Sequence, residues 1–264
     1  MNIATILVPY DSARYGERMG RGPRYLLDTA VHPTLTRLGQ TVRVEEITVS
    51  DPHPAEIKTA FSLFREVAAR VRDCLRDGWF PLVLSGNCNL AVGTVTGCGC
   101  ATTSVVWFDA HGEATTPDTT TSGFLDGMGI SILTGQCFHA LARSIPDFEP
   151  VPGAHIHLLG ARDLEPAETE LLTRIGVGRA PAVPATPFYL HLDLDVLDPA
   201  EAVTNPWPTP GGMTVTSVID TIKDARARRT LKALGIASFD PAVDNDGRGA
   251  RAVARILESI FSLS

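Results

Sequence analysis

A chain of 264 residues that is 44% hydrophobic is long enough to bury one sizeable core, and a single domain over residues 1–264 is the expectation. Its formal net charge is −7, and its densest basic stretch is Lys223, Arg226, Arg228, Arg229 and Lys232, at helical spacing. That excludes a general nucleic-acid or anionic-membrane partner, both of which need a basic field. No apolar run is long enough to span a bilayer. The amino-terminal MNIATILVPYDSARYGER lacks a basic start followed by a long apolar stretch, so a secretory signal is not expected. Five cysteines (Cys74, Cys88, Cys98, Cys100 and Cys137) form no disulfide framework, which suits a reducing cytoplasm. Without a second Cys/His pair, Cys98 and Cys100 read as small buried residues.

Along the chain, short β-rich runs alternate with amphipathic stretches, the pattern of an α/β fold with a mainly parallel sheet covered on both faces. Strands are predicted at Ile3–Pro9, Thr41–Ile47, Phe80–Leu84, Ser104–Phe108, His155–Leu159, Phe188–Leu194 and Leu231–Phe239. A helix is predicted over Pro23–Leu38. A second is marked by Ile57, Phe61, Phe64, Val67, Val71 and Cys74, which recur at steps of three and four residues. Further helices are predicted at Pro166–Ile175, Thr216–Ala227 and Arg248–Phe261. The Pro-rich stretch 180–187 reads as a loop, being too short for a linker between domains.

Ligand-competent side chains gather after three of these strands, where open parallel sheets bind their ligands. In Asp109-Ala110-His111-Gly112-Glu113 the three polar residues alternate, so in extended chain they share one face. Carboxylate and imidazole together suit divalent manganese, iron or zinc. In His191-Leu192-Asp193-Leu194-Asp195 the polar residues again share a face. Two carboxylates side by side on a buried strand are costly unless a cation lies between them. Asp198 before Pro199 reads as a turn residue. In Ser85-Gly86-Asn87-Cys88-Asn89 a cysteine falls near a helix start, where a thiolate is stabilised and can ligate a metal; a small buried residue at a tight turn is the alternative. Together Cys88, Asp109, His111, Glu113, Asp193 and Asp195 offer six ligands. Two hard cations held by shared carboxylates can activate water, so the expected chemistry is metal-assisted hydrolysis.

The motifs DAHGE (109–113), TTTSG followed by Gly127, and DLDVLDP (193–199) resemble the signatures of the arginase, or ureohydrolase, family. VPYDS near the start, Gly22-Pro23 and Gly160-Ala161-Arg162-Asp163 extend the resemblance over nearly the whole chain. The resemblance implies a three-layer α/β/α fold. It also implies a centre of two Mn2+ ions, cleavage of an amidino C–N bond in a small guanidino or amino-acid substrate, and a homo-oligomer. The stretch between Gly160 and Phe188 is too short for the family's extra strand–helix unit, so a trimmed sheet is expected.

By position Asp109, His111, Glu113, Asp193 and Asp195 match family ligands, with Glu113 where the family usually has Asp. Cys88 stands where a His ligand is usual, which admits zinc or iron in place of manganese. A branch that includes hydrolases of N-omega-hydroxyarginine is similar in carrying Cys in this turn, and His191 before DLD is similar to that branch as well. The resemblance puts Thr115 and Ser122 at the substrate's α-carboxylate and Glu165 at its α-amino group. Asp126 replaces a His assigned to proton transfer, and Ser238 replaces the Glu that pairs with the guanidinium, with Asp240 as the alternative match. A guanidinium without a carboxylate partner is poorly compensated, so a less basic hydroxyguanidine becomes attractive, and a formimidoyl or amide substrate stays open. Asp126 or His191 is the expected proton carrier, His191 alternatively a supporting hydrogen-bonding residue. The changes at Cys88, Asp126 and Ser238 also leave open a non-catalytic metal- or ligand-binding protein. The other histidines, and Trp79, Trp107 and Trp207, read as structural.

Overall fold

Seven apolar runs become parallel strands of one sheet because the segments between them carry the chain back to the end of the sheet where the previous strand began. The computed structural model describes residues 1–50, 53 and 55–262. The strands are β1 (Asn2–Val8), β2 (Thr41–Glu46), β3 (Phe80–Ser85), β4 (Ser104–Phe108), β5 (Ile156–Leu159), β6 (Phe188–Asp193) and β7 (Leu231–Ala237), each within two residues of expectation. They lie in the order β2-β1-β3-β7-β6-β4-β5, and every neighbouring pair is parallel.

The helices are α1 (Gly22–Leu26), α2 (His32–Arg37), α3 (Glu56–Arg76), α4 (Ala91–Cys98), α5 (Gly129–Leu133), α6 (His139–Ala142), α7 (Pro166–Ile175), α8 (Val215–Arg226) and α9 (Arg248–Phe261). The helix expected over residues 23–38 is interrupted by a π-helical turn at Leu27–Val31. Pro33 explains it: proline has no N–H for an i−4 bond, and its ring crowds the carbonyl four residues back. Between β5 and β6 the chain makes α7 and a loop with no further strand, the trimmed connection expected there.

Alternation along the strands sorts the core onto two faces. Ala4, Ile6, Val83, Val105, Trp107 and Tyr189 pack with α3, α4 and α5. Ile3, Leu7, Leu82, Val106, Phe108 and Leu190 pack with α1, α2, α8 and α9. The result is the three-layer α/β/α arrangement. No described helix is long and apolar enough to cross a membrane. The turns leaving β3, β4, β6 and β7, four adjacent strands, open toward one place, and that is where the polar residues meet.

Candidate metal centre and active-site cavity

A cavity of about 320 Å³ sits at the carboxyl ends of the sheet. His111, Glu113, Thr115, Ser122, Asp126, Glu165, Asp193, Asp195 and Ser238 all line it. Beneath its floor lie Cys88, Asp109 and His191, each buried. Asp240 does not reach it. Its carboxylate accepts a hydrogen bond from Arg21 at 3.3 Å and from the Ala242 backbone at 2.9 Å.

The ligands converge through turns, not through the continued extended chain that alternate spacing suggests. β4 ends at Phe108, and Glu113 has a left-handed backbone, φ 54°. β6 ends at Asp193, whose Oδ1 accepts the Asp195 N–H at 2.8 Å and starts a short 3-10 turn. The Ala110 N–H then donates to Asp195 Oδ1 at 3.0 Å and stitches the two motifs together. Ser238, just past β7, is also left-handed at φ 58°. Such conformations in non-glycine residues are strained and persist only where the surroundings fix them, often at functional sites.

His111 Nδ1 lies 3.2 Å from Asp195 Oδ2 and 3.4 Å from Asp109 Oδ1. Burial alone would lower its pKa, but hydrogen bonds and charge from Asp109 and Asp195 raise it to about 12. Asp195 is lowered: the His111 contact outweighs desolvation. Its neighbours go the other way. Burial, then the charges of Asp195 and Asp109, push Asp193 well up. Burial, then Asp109 and Asp126, does the same to Glu113. Asp109 is raised by burial and by Asp195. Cys88 Sγ donates to Asp193 Oδ2 at 2.9 Å and contacts Ser238 Oγ at 3.2 Å, with its thiol driven well up by burial.

These are buried acids crowded beyond what their own hydrogen bonds relieve. In addition, Glu113 Oε2 and His191 Nε2 are buried without a partner. A divalent cation would neutralise the first defect and ligate the second, so the donor set fits metal. Two trios are spaced for it, each offering ligand atoms within 4.8 Å of one another: Cys88, Asp109 and His191, and Asp109, His111 and Asp195.

Asp126 stands on the cavity wall. Asn87 Nδ2 donates to it at 2.7 Å and the Asn89 N–H at 2.9 Å, yet burial still raises its carboxyl to about 7. Thr115 donates its hydroxyl to the Gly127 carbonyl at 2.7 Å. Ser122 is exposed at the mouth, and Glu165 accepts a hydrogen bond from Thr121 there.

Several contributors were not singled out as site residues from the sequence. Glu168 is buried and takes two backbone N–H groups, Ala114 at 3.1 Å and Glu165 at 3.0 Å, so α7 is clamped to the loop after β4. The Glu-x-x-Glu spacing of a capping box at Glu165–Glu168 was the available signal. Asn205 Nδ2 donates to Asp195 Oδ2 at 3.0 Å. The Arg162 guanidinium donates to the carbonyls of Gly160, Asp195 and Thr209 and pins the loop after β6. Trp107 Nε1 donates to Asp109 Oδ2 at 2.9 Å, and Trp207 packs edge-on against Phe124 in the cavity wall.

The arginase of Bacillus caldovelox is 26% identical to this chain over 98% of it and 97% of that relative. A crystal structure of arginase from Bacillus cereus superposes with a TM-score of 0.88 at 22% identity, covering 100% of this chain and 99% of that one. The formimidoylglutamase of Bacillus subtilis superposes with a TM-score of 0.73 at 20% identity, covering 99% and 86%. The arginase family model matches residues 1–262. With that match over nearly its whole length, the chain belongs to the arginase family.

Proposed function

We propose that this chain is a metal-dependent hydrolase that cleaves a C–N bond of a guanidino or hydroxyguanidino amino acid and releases urea or hydroxyurea. The observation that carries the reading is the convergence of Asp109, His111, Glu113, Asp193 and Asp195 around the floor of one cavity. Those five with Cys88 would hold two divalent cations, manganese by family resemblance, zinc or iron where the thiol takes part. When bound, the pair supplies Lewis acidity and activates water near neutral pH.

The remaining chemistry falls to the wall and mouth. Asp126, raised by burial to about 7, can hold a proton at Oδ1 or Oδ2 and give it to a departing nitrogen. Its two asparagine-turn donors fix its direction. Glu165 and Ser122 at the mouth suit an α-amino and an α-carboxylate group. Thr115 can serve the carboxylate once its hydroxyl turns away from Gly127. Phe124 and Trp207 give the cavity an apolar wall that excludes water.

Ser238 offers a hydroxyl and no charge to the cavity, and Asp240 is turned to Arg21 and does not line it. A full guanidinium would be poorly compensated there, and a hydroxyguanidine, being less basic, needs that partner less. This favours N-omega-hydroxyarginine over arginine. The test is the release of urea, hydroxyurea, ammonia or formamide by protein loaded with manganese or zinc. It would be offered arginine, N-omega-hydroxyarginine, agmatine and formimidoylglutamate. Fastest turnover of the hydroxyguanidine supports the reading, and fastest turnover of the formimidoyl compound redirects it. Silence on all four with cations bound overturns catalysis in favour of a binding protein.

A further inference from the structure

Among the described residues His191 is the one imidazole that is fully buried, 1% exposed, and short of a partner on one nitrogen. Its Nδ1 lies 2.8 Å from the Tyr189 hydroxyl, and its ring stacks on Trp107 with centroids 4.0 Å apart. Only Nε2 is left free. A ring nitrogen of His191, the Cys88 sulfur and an Asp109 carboxylate oxygen lie within 4.8 Å of one another. A buried imidazole nitrogen without a partner forfeits the hydrogen bond it makes in water, and neither Tyr189 nor Trp107 supplies one to Nε2.

The surroundings are arranged to keep that nitrogen where it is. A ligating histidine commonly gives its other ring N–H to a fixed acceptor, and Tyr189 is placed to take it. The Tyr189 hydroxyl has its place because residue 235 of the neighbouring strand is glycine. A Cβ at Gly235 would stand 2.0 Å from that oxygen. Trp107 holds Asp109 with its indole N–H and flanks His191 with its ring, so one side chain aligns two members of the trio.

We infer that His191 is a metal ligand through Nε2, and that with Cys88 and Asp109 it forms a soft nitrogen–sulfur–oxygen subsite selecting zinc-class cations over manganese. The inference rests on the metal-dependent reading above and specifies the half of the centre nearest α4. The turn after β3 gives this trio its sulfur, and its imidazole comes from β6, two strands away in the sheet. The Asp109, His111 and Asp195 trio stays a harder nitrogen–oxygen subsite with no sulfur. The two halves therefore differ in metal preference. His191 is thereby a ligand and not a proton carrier, which leaves proton movement to Asp126.

The test uses the whole chain, stripped of metal and titrated without substrate. Cobalt(II) should give a near-ultraviolet thiolate charge-transfer band that Cys88→Ser abolishes. His191→Gln should keep the band but weaken cobalt binding at least about 10-fold and alter the visible ligand-field spectrum. Tyr189→Phe should weaken binding about 10-fold or less, by freeing the ring. In wild-type protein with 15N-labelled histidine, zinc should shift two of the seven imidazoles, those of His191 and His111. That measurement needs no variant to fold. A single shifted imidazole, or cobalt binding and spectra unchanged in His191→Gln, overturns the inference even if hydrolysis is found. Two shifted imidazoles in a protein inert on every substrate would keep the inference and remove the hydrolase reading.

Discussion

At the floor of the cavity Cys88, Asp109, His191 and Asp193 are at most 3% exposed, and each is held by a neighbour that is itself buried. At the mouth, Ser122 stands in solvent, Trp207 is 44% exposed, and Glu165 is fixed mainly by Thr121. The floor is built from strand ends and locked turns, and it concentrates charge at the expense of stability. The mouth is built largely from loops, where side chains are more exposed and a change disturbs less packing than at the floor. Rigid placement belongs to metal chemistry, which tolerates little displacement, and adjustable contacts belong to substrate selection.

The largest expected effect comes from breaking the floor. Asp193→Asn should lower turnover at least about 100-fold and weaken cation binding, while raising the melting temperature of the metal-free protein by a few degrees. Loss of both activity and stability would say that the acids are not in conflict. Calorimetry of the stripped protein decides it.

The second effect uses pH. The folded-state carboxyl groups of Asp193, Glu113, Asp109 and Asp126 are raised, chiefly by burial, so their contribution is present at low pH and lost as pH rises. Metal-free protein should therefore become less heat-stable as pH rises from about 4, near the unfolded carboxyl value, to about 7, the folded value of Asp126. A saturating divalent cation should flatten that slope. A slope that ignores the cation would separate the acids from metal binding.

Between floor and mouth lie the clamps. Asn205→Ala should cost about 10–100-fold in cation affinity through Asp195. Glu168→Ala should cost about 1–3 kcal/mol in unfolding by denaturant, because it strands the Ala114 and Glu165 N–H groups. Glu165→Gln, at the mouth, should raise KM about tenfold with kcat held, and Trp207→Ala should change KM less than that. A fall in kcat for either would move the boundary of the rigid region outward to the rim.

Much of this was legible in the sequence. Period-two and period-3.6 apolar patterns report burial directly, which is why seven strands and five helical segments were readable within two residues at most ends. The short helices α5 and α6 were not, since a few residues carry no period. The candidate ligands at 109–113 and 193–195 were also legible as a group, because paired acids on a buried strand end are costly without a compensating charge whatever the backbone does.

Which atoms meet was decided only by the tertiary structure. Alternate spacing suggested an extended chain, yet a left-handed Glu113 and a 3-10 turn after Asp193 produce the convergence. Ser238 was the favoured match and Asp240, two residues on, the alternative, and the turn after β7 sends Asp240 to Arg21 and Ser238 to the cavity. From its residue type His191 read as a proton carrier or as a supporting hydrogen-bonding residue. Its burial, its tyrosine partner and its free Nε2 come from β4, β6 and β7 lying side by side, and sequence spacing cannot express contacts made across a sheet.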